Sequence, residues 1–170
     1  MAAAMTRGVQ SHKNRATTIK HYACNNQEFN RKNNNSILSE RALREIYLKG
    51  FKIAIEESSP LALMTSYNLI NGIHSSQNKQ LLIDVLRSEW KYDGLIMSDW
   101  ISSYYTANKA SKHPAQNSLD NIRGGNNLHM GGGKKDYLLL IDSLKEGKLT
   151  RDDLLQCASK VYETIELVNK

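Results

Sequence analysis

The sequence lacks any hydrophobic run of about 18 residues, the length that a helix needs to span a bilayer. The opening residues, Met1 to Arg7, are too few and too weakly apolar for a secretory signal. Both absences argue against a membrane partner and against export. We therefore predict a protein that lies in the cytoplasm and does not bind a membrane.

Cysteine is scarce, and the histidines are scattered. Cys24 and Cys157 lie far apart and neither belongs to a C-x-x-C pair, which predicts reduced, buried thiols and no disulfide. His12, His74 and His113 lack the spacing of metal ligands. We expect neither a bound metal nor another cofactor.

Basic residues are not clustered, although the formal net charge is +6. Lysines and arginines stand among acids, as in residues 145–148 and 151–153, and no basic stripe with interleaved aromatics is present. This pattern predicts no nucleic-acid partner. The composition, with 40% hydrophobic and 24% charged residues, is that of a globular domain.

Short apolar runs alternate with segments of helical periodicity. The runs that we predict as strands are residues 17–24, 61–68, 94–100 and 128–130. We predict one helix from Ser39 that ends before Pro60, and further helices near residues 79–89, 115–122, 137–146 and 151–169. Residues 1–15 lack periodicity, so we expect an irregular segment there. The alternation predicts an α/β domain over residues 16–170, with about four parallel strands each followed by a helix.

Each predicted strand ends in polar or aromatic residues. In a parallel sheet these ends meet at one edge, where the sites of such folds form. The strand-end pairs are Lys20-His21, Tyr67-Asn68, Asp99-Trp100 and His129-Met130. If the sheet curves, the ends converge and combine a carboxylate, a cation, aromatic rings and neutral hydrogen-bonding groups. Sugar sites need this mixture, because hydroxyls require donors and acceptors and sugar rings stack on aromatic faces.

Four segments resemble glycoside hydrolase family three, the β-glucosidase family, in family order and with family-like spacing. They are IKHYACNNQE (residues 19–28), SERALREIYLKGF (39–51), MTSYN (64–68) and GLIMSDW (94–100). The resemblance runs from about Gly8 to the end of the chain. It implies part of a (β/α) barrel of the TIM type, and retaining hydrolysis of a β-glucoside or a related oligosaccharide.

The resemblance also implies roles for individual residues. Asp99 matches the nucleophile that forms the covalent glycosyl-enzyme intermediate. Lys20 and His21 match residues that hydrogen-bond the hydroxyls of the cleaved sugar. Tyr67 lies where the family keeps a tyrosine close to the nucleophile, and Trp100 would form an apolar wall beside the sugar. A nearby Lys20 ammonium would favour the ionised form of the Asp99 carboxylate.

Each of these residues also has an ordinary structural interpretation. An aspartate after a strand, such as Asp99, often caps a helix or forms a turn. Lys20 and His21 would be surface residues outside the motif, and a buried Tyr67 could serve only in packing. The order and spacing of the motifs favour the site interpretation.

The resemblance covers only the second half of such a barrel, and the 170 residues fall short of the roughly 250 of a complete one. The family's first strands would bring an acidic residue and an arginine to the pocket, and its general acid/base usually comes from another domain. Nothing in the chain matches these groups. Glu28 and Glu57 are carboxylates, but no motif places either as the acid.

Two departures flank the last predicted strand, where Asn127 replaces an aspartate of the family pattern and Gly131 replaces a proline. We expect altered pocket geometry on that side. Three interpretations stay open. The chain is a β-glucosidase fragment that is inactive alone, one half of a split enzyme whose partner chain supplies the missing barrel half, or a non-catalytic sugar-binding or structural remnant. Whether the chain alone is an enzyme is not decided by its sequence.

Overall fold

The computed structural model of the protein describes residues 1–105 and 113–169. The strands are β1 (Thr18–Tyr22), β2 (Asn35–Ser36), β3 (Ala62–Thr65), β4 (Leu69–Ile70), β5 (Ile73–His74) and β6 (Leu95–Met97). The helices are α1 (Ala2–Gln10), α2 (Glu40–Ala42), the π-helical turn π1 (Leu43–Tyr47), α3 (Lys49–Ser58), a 3₁₀ turn (Ser75–Gln77), the π-helix π2 (Gln80–Glu89), α4 (Ser102–Tyr105), α5 (Ser118–Gly124), α6 (Lys134–Lys145) and α7 (Arg151–Val168). None of the helices in this part of the chain is long and apolar enough to cross a membrane.

The main sheet contains three parallel strands in the order β1-β3-β6. Helical segments connect them, which confirms the predicted α/β class with parallel strands. The predicted fourth strand is wrong in extent: Leu128 forms a single parallel bridge with Met97 and no further ladder. The described residues form no closed barrel.

The core lies between this sheet and its helices. Leu63 on the central strand β3 and Ile96 on β6 are fully buried and pack in one core with Leu82 and Leu86 of π2. Tyr22, at the end of β1, is also fully buried and meets the ring of Phe51 edge-on with centroids 5.0 Å apart. This packing fixes the ends of β1, β3 and β6 relative to one another.

Residues 2–10 form helix α1, so the expectation of an irregular segment over residues 1–15 is wrong there. The helix buries only the small side chains of Ala3 and Thr6, which leave no visible apolar periodicity. Polar contacts attach it to the end of α3. Arg7 donates to the carbonyl of Glu57 at 3.0 Å, and the Gln10 side chain accepts from the backbone N–H of Leu61 at 3.0 Å.

Side-chain hydroxyls cap two of the described helices. Ser39 Oγ accepts from the N–H of Ala42 at 3.2 Å, and Thr150 forms a capping box with Asp153. Gly147 follows α6 with a φ of +69°, the left-handed conformation that glycine adopts without strain.

Residues 66–76, predicted as the end of a strand and a loop, contain a small hairpin. Strands β4 and β5 pair antiparallel, and β2 pairs parallel with β4 to form a second, three-stranded sheet. The hairpin packs beside the end of β3: Ser66 donates through its N–H to Ser75 Oγ at 2.9 Å. It therefore lies directly behind Tyr67, one of the predicted site residues.

Both cysteines are free thiols. Cys24 is buried as expected, and burial raises its pKa to about 11. Cys157 is only half-buried, so the prediction of burial is wrong for this residue.

Candidate active site

The carboxyl ends of the three parallel strands meet at one edge of the sheet. The register pairs Tyr22 with Thr65 and Met64 with Met97, so the residues just beyond these positions are neighbours. This arrangement brings His21, Tyr67 and the Asp99-Trp100 pair together. The peptide bond between Lys20 and His21 is cis.

Asp99 follows β6 and is 7% exposed, which is unusual for a carboxylate. Its Oδ1 accepts from the backbone N–H of Trp100 at 2.7 Å. Its Oδ2 lies 3.7 Å from Nε2 of His21. This distance is too long for a direct hydrogen bond, but it allows both groups to contact one ligand hydroxyl.

The imidazole of His21 is half-buried beside this carboxylate. Burial lowers the pKa of His21 from its usual 6.5, and the Asp99 charge opposes this effect. The positive charges of Lys20 and Arg31 lower the pKa of His21 further. At neutral pH we therefore expect a neutral imidazole, which acts as a hydrogen-bonding group beside the Asp99 carboxylate.

Tyr67 is buried, at 3% exposure, at the end of β3. Its hydroxyl donates to the carbonyl oxygen of Trp100 at 2.6 Å. This bond attaches the β3 end to the segment that carries Asp99. The indole of Trp100 is 53% exposed, so its face is available beside the carboxylate.

Arg31 was not predicted as a site residue, yet the structure places it here. Its guanidinium lies over the Tyr67 ring, 5.2 Å from the centroid, and pairs with Glu28 at 3.0 Å. The available signal was an arginine in the polar loop that directly follows the Lys20-His21 strand. Sequence alone does not show which residue of an 11-residue asparagine-rich loop (25–35) turns back to the sheet.

Lys20 remains exposed at this edge. It forms no ion pair with any carboxylate in residues 1–105 and 113–169. The proposed contact with a sugar and the support of the Asp99 charge therefore stay predictions for this residue.

Two residues near the site have left-handed backbone conformations. Ile101, just after Trp100, has a φ of +52°, and Cys24, three residues after His21, has a φ of +65°. A β-branched residue with positive φ is a true outlier, and such strain is concentrated at functional sites.

The fourth predicted strand end reaches this edge through its backbone, because the N–H of Ile101 donates to the carbonyl of Met130 at 3.1 Å, but the His129 side chain does not join the group. Nε2 of His129 lies 3.5 Å from Oδ1 of Asp136, and its Nδ1 lies 2.7 Å from the Asn121 amide nitrogen. The prediction of a site at this strand end is therefore wrong for the His129 side chain, which contacts residues of α5 and α6 instead.

Asn127 and Gly131 are the two positions where the sequence departs from the family pattern near the last predicted strand. Asn127 Oδ1 accepts from Nη2 of Arg87 at 2.9 Å and from the N–H of Ile96 at 3.0 Å. Burial lowers the pKa of Arg87. The side chain that accepts from its Nη2 here is the Asn127 amide and not a carboxylate. Gly131 has a φ of +71°, a conformation that a proline cannot adopt.

Comparison with known proteins identifies the family of the chain. The family model for the N-terminal domain of glycosyl hydrolase family 3 matches residues 1–164. The chain belongs to this family. It is 42% identical over 173 aligned positions, 99% of the chain, to β-glucosidase B of Emericella nidulans, and 56% identical over 92 residues, 54% of the chain, to a β-glucosidase of Kluyveromyces marxianus.

Solved structures show the same fold. The chain matches β-glucosidase 3B of Thermotoga neapolitana with a TM-score of 0.86 and 37% identity over 97% of the chain. It matches the Kluyveromyces marxianus β-glucosidase in complex with glucose with a TM-score of 0.85 and 37% identity over 98%. The chain spans only part of these enzymes: 22% and 19% of the two solved chains, and 19% and 11% of the Emericella and Kluyveromyces relatives.

Proposed function

We propose that the chain forms part of the (β/α) barrel of a retaining β-glucosidase and that Asp99 is its nucleophile. The observation that carries this proposal is the geometry of Asp99. One oxygen of a buried carboxylate is held by the Trp100 N–H, and the other faces His21 at 3.7 Å. A carboxylate held in this way presents one oxygen for attack at a fixed position.

In the proposed reaction, Oδ2 of Asp99 attacks the anomeric carbon of a β-glucoside as the bond to the leaving group breaks. A covalent glycosyl-enzyme forms, and water hydrolyses it with overall retention. His21 and Lys20 bind hydroxyls of the sugar, and the exposed Trp100 indole stacks beside its ring. Arg31 and the Trp100 carbonyl hold the Tyr67 ring in this pocket.

The general acid/base belongs to a part of the enzyme outside this chain. A retaining mechanism needs its second carboxyl group about 5 Å from the nucleophile. We therefore propose that the chain alone is inactive toward ordinary glucosides and that hydrolysis requires the remaining half of the barrel, supplied by a partner chain or by the same protein.

The surface of α6 and α7 is the place that we propose for this contact. A groove of about 620 Å³ opens between these helices and is lined by Leu140, Val161 and Tyr162. Leu138 on α6 and Ile165 on α7 add exposed apolar area, at 45% and 53% exposure. Exposed apolar patches of this kind mark interaction surfaces.

The test uses glucosides whose leaving group needs no protonation, because the glycosylation step can then proceed without the acid/base. The chain is incubated with 2-deoxy-2-fluoroglucosyl fluoride, and the covalent adduct is located by peptide mass spectrometry. We expect labelling on the peptide that contains Asp99, its loss in Asp99→Asn, and its retention in Asp84→Asn, a variant of an exposed aspartate. Labelling of a different carboxylate would refute the assignment.

Turnover of an aryl β-glucoside tests the need for a partner. We expect no turnover by the chain alone and turnover when the missing half is co-expressed. Activity of the isolated chain that Asp99→Asn abolishes would contradict the proposed dependence on a partner while supporting the nucleophile. Location in the cytoplasm stays a prediction from the sequence.

A further inference from the structure

A buried polar group lies behind Tyr67, on the side away from the candidate sugar pocket. It consists of His74 on β5, 4% exposed, and Gln116, 2% exposed, from the segment before α5. Neither residue has a role in the proposed reaction. Both nevertheless contact the backbone of a residue that does.

The contacts converge on one carbonyl oxygen. Gln116 Nε2 donates to the carbonyl of Tyr67 at 3.1 Å, and His74 Nδ1 lies 3.1 Å from the same oxygen. On its other side, His74 Nε2 lies 2.9 Å from the carbonyl of Pro114. Ser76 Oγ donates to Gln116 Oε1 at 2.6 Å, which sets the orientation of the Gln116 amide.

Each ring nitrogen of His74 faces a carbonyl oxygen, so a neutral imidazole can donate to only one of them. With its proton on Nε2, the ring donates to the Pro114 carbonyl, and Nδ1 can accept from Gln116 Nε2, 3.4 Å away. The opposite tautomer would direct the Nε2 lone pair at the Pro114 oxygen. The Nε2–H form donates across the shorter of the two carbonyl contacts, and the Gln116 amide can bridge the two acceptors that remain, Nδ1 and the Tyr67 oxygen.

We propose that His74 is a positioning residue that, together with Gln116, fixes the carbonyl of Tyr67 and thereby the direction of the Tyr67 side chain. The inference rests on the proposed function, because Tyr67 matters for catalysis only if its pocket binds the sugar. The other end of Tyr67 shows what is positioned: its hydroxyl holds the Trp100 carbonyl, and Asp99 is the preceding residue. A misplacement of about 1 Å at such a distance from the chemistry can reduce a rate about 100-fold.

Protonation of His74 is expected to act on Tyr67. Burial lowers the pKa of His74 from its usual 6.5, and the charge of the nearby His113 lowers it further; the two carbonyl contacts oppose both effects. A second proton on Nδ1 would add a charged donor toward the Tyr67 oxygen and remove the acceptor that faces Gln116. The environment of Tyr67 should therefore change as His74 titrates.

The experiment is NMR spectroscopy of the full chain labelled with ¹³C at tyrosine Cζ and with ¹⁵N in histidine, without any sugar. Tyr67→Phe and His74→Gln assign the two signals. We expect the His74 nitrogen shifts to report the neutral Nε2–H tautomer at neutral pH. On acidification, the Tyr67 Cζ signal should move with the same midpoint as the His74 nitrogens.

Substitutions of His74 provide a second test of the same inference. His74→Leu should shift the Tyr67 Cζ signal, whereas His74→Gln, whose amide keeps one donor and one acceptor, should restore most of its position. His12→Gln, at an exposed histidine, should leave it unchanged. A Tyr67 signal that ignores the His74 titration overturns the inference, even if His74→Leu fails to fold. The Tyr67 signal is recorded without sugar and does not depend on the covalent labelling of Asp99. A failure of the His74 inference can therefore be told apart from a failure of the proposed function.

Discussion

Asn127→Asp is the change whose effect on stability follows most directly from the structure. Asn127 Oδ1 accepts hydrogen bonds from Nη2 of Arg87 at 2.9 Å and from the N–H of Ile96 at 3.0 Å. Arg87 also donates through Nη1 to the carbonyls of Tyr92 and Gly94, at 2.6 and 2.8 Å. The guanidinium is thus fixed and already partly dehydrated, and the oxygens that accept from it belong to carbonyl and amide groups without a negative charge.

The expected gain is a difference between two larger quantities. A pair of unit charges about 4 Å apart attracts by about 4 kcal/mol at an effective dielectric constant of about 20. Dehydration of the new carboxylate opposes this by several kcal/mol when it is complete, but position 127 is only half-buried. Because both hydrogen bonds of Asn127 are kept, we expect Asn127→Asp to raise the free energy of unfolding by about 1 kcal/mol.

Urea denaturation at pH 7 measures this effect. With a slope of about 2 kcal/mol per molar urea, the midpoint should rise by about 0.5 M. The control is Asn26→Asp, which changes the net charge equally at an exposed residue. Asn127→Ala should instead lower the free energy of unfolding by about 3 kcal/mol, because it leaves Arg87 and the N–H of Ile96 without this acceptor.

The pH dependence provides a further check on the reasoning. Arg87 should depress the pKa of the new carboxyl group in the folded state below its unfolded value of about 3.9. The gain must then be complete above the unfolded pKa and disappear as the pH falls through the folded one. If Asn127→Asp is no more stable than Asn26→Asp at pH 7, the guanidinium is adequately solvated and the argument from its missing counter-charge is wrong.

Three further predictions concern single contacts and pH. Tyr67→Phe should lower the free energy of unfolding by about 1 kcal/mol, through the lost hydroxyl donor, and a midpoint equal to wild type would exclude that bond. Thr150→Ala should cost about 1 kcal/mol by removing the cap of α7, with Thr150→Ser as the variant that keeps it. Burial lowers the pKa values of His21, His74 and His129. Because the unfolded chain binds more protons, the free energy of unfolding should be highest above the unfolded pKa of about 6.5 and should fall as the pH drops toward the folded pKa values. Urea denaturation at pH 7.5, 6.5 and 5.5, roughly one pH unit on each side of that pKa, measures this dependence. A free energy of unfolding that does not change over this range would refute the prediction.

The sequence by itself determined the order of the local elements. Apolar runs located β1, β3 and β6 within a few residues, and the helices predicted from Ser39 and from residue 151 begin at Glu40 and Arg151. These features are local, because strand pattern, capping and turn chemistry depend on residues a few positions apart. The sequence also located His21 and Asp99 at the same edge, since parallel strands align their carboxyl ends.

Only the tertiary structure decided which side chains meet. α1 is held by polar contacts with α3 and buries only small residues, so no periodicity revealed it. Arg31 reaches the ring of Tyr67, and His129 turns to Asp136, because loops and helices approach one another over distances that no local pattern encodes. The 3.7 Å separation of His21 Nε2 and Asp99 Oδ2 was likewise decided by the tertiary structure. It depends on how the packed core sets β1 against β3 and β6, and this packing is a property of the folded chain as a whole.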